Sequence, residues 1–117
     1  MLARTALRPR KRNAPRPAWK MAEAFKQWLR GRPCACGGHK DCSGPIVAAH
    51  VDHAGGKGVG TKVADQHCIP LSDACHRRQH SVGWRTFERT LPGGDAVTLS
   101  AEYWRAWPGR IAWERDQ

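Results

Sequence analysis

From Met21 onward, apolar residues fall at helical spacing. Met21, Phe25, Trp28 and Leu29 share one face of a 3.6-residue period, and Gly31 and Pro33 stop the run. Residues 19–30 are therefore expected to form an amphipathic helix whose apolar face packs on the domain. The period is lost in CACGGHKDCSGP, 34–45, which reads as a turn that a metal would organise. IVAAHV, 46–51, and HCIPL, 67–71, are short and β-prone, and two strands are expected there. The stretch between them, 52–66, holds four glycines in its first nine residues and reads as a loop. Ser72 or Asp73 is placed to cap a helix running through Cys75, His76 and His80. WRTFERTL, 84–91, reads as a further helical piece, broken by Pro92-Gly93-Gly94. Residues 95–107 include another helix, ended by Pro108 and Gly109. Trp104, Trp107 and Trp113 are expected to pack against the core, the alternative being that one of them stacks on a nucleobase. The centre of the chain thus reads strand, long loop, strand, helix, with no internal repeat.

Length and charge refine this picture. At 117 residues the chain suits one small domain, of a size that often uses a metal as a staple. Lys plus Arg total 20 against 10 Asp plus Glu, for a net charge of +10. Residues 1–40 carry 11 basic side chains and one acid, Glu23, whereas residues 41–117 carry 9 of each. The whole excess sits in the first third. Residues 1–18 hold six basic residues and three prolines, so a disordered basic arm is expected there, followed by a domain over 19–117. Arg10, Lys11 and Arg12 are its densest cluster. A front-loaded positive charge suits a polyanionic partner such as nucleic acid, through counterion release and steering, or else simply aids solubility. No apolar run approaches the roughly 18 residues of a membrane span, and no secretory leader pattern follows the basic start, so no membrane partner and a cytoplasmic location are expected. Five cysteines in a reducing compartment favour metal or free thiols over disulfides.

CHRRQH, 75–80, carries the sharpest chemistry. On a helix, positions i and i+4 point the same way, so His76 and His80 can offer two ring nitrogens to one metal. Two such histidines also occur on helices without metal. Arg77 and Arg78 point elsewhere around the helix, toward phosphates or toward solvent.

The order AAHV, glycine-rich loop with GVGTK, Asp65, IPL, then CH followed by His80, resembles the HNH, or ββα-metal, nucleases. The likeness is closest to the small phage and prophage HNH endonucleases, including the recombination-enhancement type. It covers roughly residues 34–83. It implies an α+β fold with a small ββα-metal, treble-clef-like core and flanking helices. It also implies a metal-dependent DNA endonuclease with roles in recombination or packaging, where a phage recombination protein is a possible partner. Carried over by position, His50 is the general base, and His76 and His80 hold one catalytic divalent metal: Mg, Mn, Ni or Zn. The residue types suit the roles. Imidazole takes a proton near neutral pH, and a metal stabilises charge on the phosphate and the leaving oxygen.

The chain departs from the family pattern in places. Where many members carry a ligand just before the base, this chain has Ala49. A rival register makes Asp52-His53 the ligand and base pair. With His50 as base, His53 instead assists metal or phosphate binding. The family asparagine that braces the base falls near His67, so His67 or Asp65 takes that role. A second, structural zinc often ties the loop before the first strand to the start of the helix in this group. Here Cys34, Cys42 and Cys75 are its ligands. Ser72 stands where the far pair would have another cysteine, so Cys36 completes the set, with Cys68 in reserve. The other reading is reduced, semi-buried thiols in a small core. GGKGVGTK lacks the spacing of a nucleotide-binding P-loop. Its glycines suit close backbone approach to DNA, with Lys57 and Lys62 on phosphates, or a plain surface loop. The alternative from another class is a zinc-stapled nucleic-acid-binding module without catalysis.

Overall fold

The two β-prone runs pair with each other. β1 (Ile46–His50) and β2 (Cys68–Ser72) form a two-stranded antiparallel sheet in which Ile46 faces Ser72 and His50 faces Cys68. The structure, a computed structural model, describes residues 17–54 and 63–117. Arg10, Lys11, Arg12, Lys57 and Lys62, with nearly all of the basic arm, lie outside the described residues. Five α-helices accompany the sheet: α1 (Glu23–Arg30), α2 (Asp73–Val82), α3 (Trp84–Phe87), α4 (Ala96–Ala106) and α5 (Arg110–Arg115). Single 3₁₀ turns cover Ala18–Lys20, Asp65–His67 and Glu88–Thr90. This is a small α+β architecture. None of the described helices is long and apolar enough to cross a membrane.

A two-stranded sheet is marginal alone and needs packing on both faces. β2 is buried along its whole length. Its alternation divides the core in two. Ile69 and Leu71 join Ala49, Val51, Phe87 and Leu91 in one apolar cluster, while Cys68 and Ala48 meet Phe25, Leu29 and Trp107 in the other. Pro70 is tolerated in β2 because a two-stranded sheet leaves every strand an edge. Its carbonyl accepts the Ala35 amide at 2.8 Å, which draws the cysteine-rich turn onto the sheet. Phe25 packs edge-on to Trp104 at 5.0 Å between ring centroids and tilted to Trp107 at 5.5 Å. Trp113 donates its indole N–H to the Met21 carbonyl at 3.0 Å. The three tryptophans pack against the core as their spacing implied.

The single helix expected over 19–30 is interrupted. Met21 is extended and α1 begins only at Glu23. The break has a tertiary cause: the Ala22 amide is given to the buried Asp65 carboxylate at 2.8 Å. The piece at 84–91 likewise divides into α3 and a 3₁₀ turn, and α5, beyond Pro108-Gly109, has no counterpart among the elements expected from sequence.

α2 starts where its cap chemistry dictates. Ser72 Oγ accepts the Cys75 amide at 3.2 Å. The Asp73 and Ala74 amides donate to the carbonyls of Pro45 and Ser43 at 2.8 and 3.0 Å. These bonds pin residues 43–45 against the helix start. Gly44 makes that approach possible: its φ is +92°, and a Cβ there would sit 2.9 Å from the Asp73 Cβ.

Candidate functional site

The bonds that hold residues 43–45 on α2 also bring Cys42 to Cys75. The sulfurs of Cys34, Cys36, Cys42 and Cys75 all lie within 4.8 Å of one another. Four thiolates around a tetrahedral zinc at about 2.3 Å would stand about 3.8 Å apart, so the set fits that ion. The surroundings suit thiolates. The Ser72 amide donates to Cys34 Sγ at 3.2 Å and the His39 amide to Cys36 Sγ at 3.3 Å. Gly37 and Gly38, at φ +73° and +98°, let the turn after Cys36 aim its amides at the sulfur. Burial alone would raise the Cys36 thiol, but the His39 and Gly38 amides and the Cys42 and Cys34 side chains bring it down to about 7. Burial pushes the Cys34 and Cys75 thiols up. Ser72, in the place of a fifth cysteine, accepts from the Cys42 thiol at 3.3 Å while capping α2. Cys68 is fully buried in the other apolar cluster and takes no part.

A second constellation lies across β1 and α2. Strand alternation turns Ala48, His50 and, just past the strand, Asp52 to one side, where with His76, Gln79 and His80 they line a pocket of about 300 Å³. His76 Nε2 and His80 Nε2 are 3.1 Å apart. Two nitrogens on one metal at about 2.0–2.1 Å would be separated by about 2.9–3.4 Å, so the pair is set for a shared ion. Burial and the neighbouring His80 lower the pKa of His76, which favours the neutral, ligating form. His50 Nε2 lies 2.9 Å from Asp65 Oδ1. A carboxylate only accepts, so His50 donates from Nε2 and keeps the Nδ1 lone pair free to take a proton. Among the described residues the four cysteines alone bring three or more metal-type ligand atoms together. His50 thus shares the pocket without joining the histidine pair.

The other candidate residues sit elsewhere. His53 lies outside the pocket, 3.3 Å from Glu88 Oε1 and beside the Trp84 ring. His67 ends the 3₁₀ turn before β2, and burial and then His50 lower its pKa. The carboxylate on His50 belongs to Asp65. Arg77 is exposed and paired with Asp73 at 3.2 Å. Arg78 stacks over Phe87 at 4.7 Å and donates to Thr90 Oγ1 at 3.3 Å, so it serves packing. Gln79 was not singled out from sequence, although its position three residues after His76 puts it on the same helix face. A family model described as a protein of unknown function, DUF968, matches residues 9–100. No curated protein and no solved structure matches the chain.

Proposed function

We propose that this chain, which belongs to the DUF968 family of unknown function, is a divalent-metal-dependent DNA endonuclease with a ββα-metal core of the HNH type and a structural zinc. One observation carries the reading. A carboxylate-braced histidine on β1 shares one pocket with a pair of histidine nitrogens 3.1 Å apart on α2. The strand–loop–strand–helix order and the four-cysteine cluster support it further.

The chemistry runs through named atoms. His50 Nδ1 takes a proton from a water whose oxygen bonds to phosphorus. The P–O3′ bond breaks, and the 3′ oxygen leaves and is protonated from solvent, giving a 5′-phosphate and a 3′-hydroxyl. Asp65 holds the tautomer and steadies the imidazolium that forms. His76 and His80 would hold the metal, which supplies charge stabilisation on the phosphate and the departing oxygen. Nitrogen ligands suit Mn, Ni or Zn, while Asp52 on the pocket rim gives an oxygen of the kind Mg prefers. The basic arm, Lys57 and Lys62 would contribute affinity without sequence information.

Ala49, buried where many HNH nucleases carry a ligand, favours the alternative of a zinc-stapled nucleic-acid-binding module without catalysis. Incubating the zinc-loaded protein with supercoiled plasmid and Mg, Mn, Ni or Zn in turn separates the two. Nicked product with 5′-phosphate ends that chelator abolishes supports the nuclease. Binding with no cleavage under any of these metals supports the module.

A further inference from the structure

Gln79 is 5% exposed, and its amide is not sealed away as the unpartnered His53 Nδ1, Gln66 Oε1, Arg78 Nε and Arg110 Nε are. It lines the pocket together with the histidine pair and His50. An amide open to the pocket is available to whatever enters it.

The chemistry of the pocket says which atom of the amide is used. His50 Nε2–H is taken by Asp65, and its Nδ1 is an acceptor. His76 and His80 bring their Nε2 atoms within 3.1 Å of each other, where they would hold a metal. Asp52 is an acceptor. The two arginines of α2 are engaged elsewhere, Arg77 with Asp73 and Arg78 over Phe87. Of the described residues lining the pocket, Gln79 alone offers a neutral side-chain donor to an anion. Resting on the nuclease reading, we infer that Gln79 is a catalytic residue whose amide N–H donates to a non-bridging oxygen of the scissile phosphate, the substrate group that gains charge as water attacks. Such a donor acts most strongly in the transition state, so its loss falls on kcat more than on KM.

The test uses the full chain, loaded with zinc and supplied with the metal that supports cleavage. The substrate is a DNA duplex carrying one phosphorothioate, as separate Rp and Sp forms, at a mapped cleavage position. Sulfur is a poor hydrogen-bond acceptor. The parental protein should cut one diastereomer slowly, and replacing Mg by thiophilic Mn should not restore that rate. Gln79→Met should cut the all-oxygen DNA on the order of 10²-fold more slowly, with KM little changed, and should lose the discrimination. Its melting temperature should stay close to the parental one, because methionine keeps the length and the apolar stem of the side chain. Parental rates in Gln79→Met, retained discrimination, or a fall in melting temperature of several degrees would each overturn the inference while leaving the nuclease reading intact. A parental protein that cuts no DNA under any divalent metal overturns both.

Discussion

Asp65 and His50 form a half-buried couple: Asp65 Oδ1 sits 2.9 Å from His50 Nε2, and the carboxylate is 2% exposed. The other oxygen accepts the Ala22 amide at 2.8 Å and faces the Lys26 ammonium at 3.6 Å. One side chain therefore sets the candidate base and anchors the start of α1. Asp65→Asn should lower cleavage by roughly 10–100-fold with DNA affinity retained, as for other groups that orient a working histidine. Asp65→Ala should in addition destabilise the domain by about 1–3 kcal/mol, since the Ala22 amide and Lys26 lose their acceptor. Single-turnover cleavage and thermal melting on the two variants check this. Equal cleavage by both variants and the parental protein would remove Asp65 from the mechanism.

Zinc should bind at one ion per chain and require four cysteines. Serine at position 34, 36, 42 or 75 should reduce the zinc content of the purified protein and lower its melting temperature. Cys68→Ser should leave zinc content unchanged, because that thiol lies in the other cluster. At free zinc a thousandfold above Kd the ion adds about 4 kcal/mol of stability, so strong chelation should be plainly visible in melting. Full zinc in Cys36→Ser would mean a different ligand set.

Acid should weaken the fold through two histidines. Burial, with His50 in one case and His80 in the other, lowers the pKa of His67 and His76 below 6.5. In the window just below 6.5 the unfolded chain binds protons that the native protein refuses, so stability falls as pH drops through it. The loss is complete once pH is below the folded values. Melting of the zinc-loaded protein without catalytic metal should decline from pH 7.5 toward 5.5, and the slope should flatten in His67→Asn and in His76→Asn. A parental slope kept in both variants would assign the acid effect to other groups.

The parts of the fold held by local chemistry could be read from the sequence. The short β-prone runs IVAAHV and HCIPL mark both strands, and Ser72 marks the start of α2. The i,i+4 spacing of His76 and His80 implies the convergence of their nitrogens, and the resemblance to the HNH group implied the cysteine set that the structure brings together. The rest depended on long-range partners. Nothing near Ala22 announces that its amide serves Asp65, 43 residues away, so the interruption between the 3₁₀ turn and α1 was hidden. Arg78 looks like a phosphate ligand until Phe87 is found beneath it. Which carboxylate each of His50 and His53 meets, Asp65 for one and Glu88 for the other, depended on which side of β1 each chain segment returns to, and spacing does not encode that.

The basic arm should govern affinity rather than chemistry. Deleting residues 1–16 removes six basic side chains and keeps Pro17 and Ala18, whose carbonyls cap the following turn. Binding to unrelated DNA sequences should weaken alike, and the slope of log K against log salt should become shallower by about 0.9 for each phosphate that the arm no longer neutralises. Cleavage at saturating DNA should be retained. A salt slope unchanged by the deletion would detach the arm from DNA binding.

The most direct test of the nuclease reading compares His50→Ala with His76→Ala, measuring plasmid cleavage and divalent-metal binding by titration calorimetry on the zinc-loaded proteins. His50→Ala should keep metal and DNA binding while cleavage falls on the order of 10²–10⁴-fold, as loss of a general base requires. His76→Ala should lose the second metal together with cleavage. Parental cleavage by His50→Ala with a dead His53→Ala would transfer the base to Asp52-His53. Undiminished cleavage by all three variants would contradict the account.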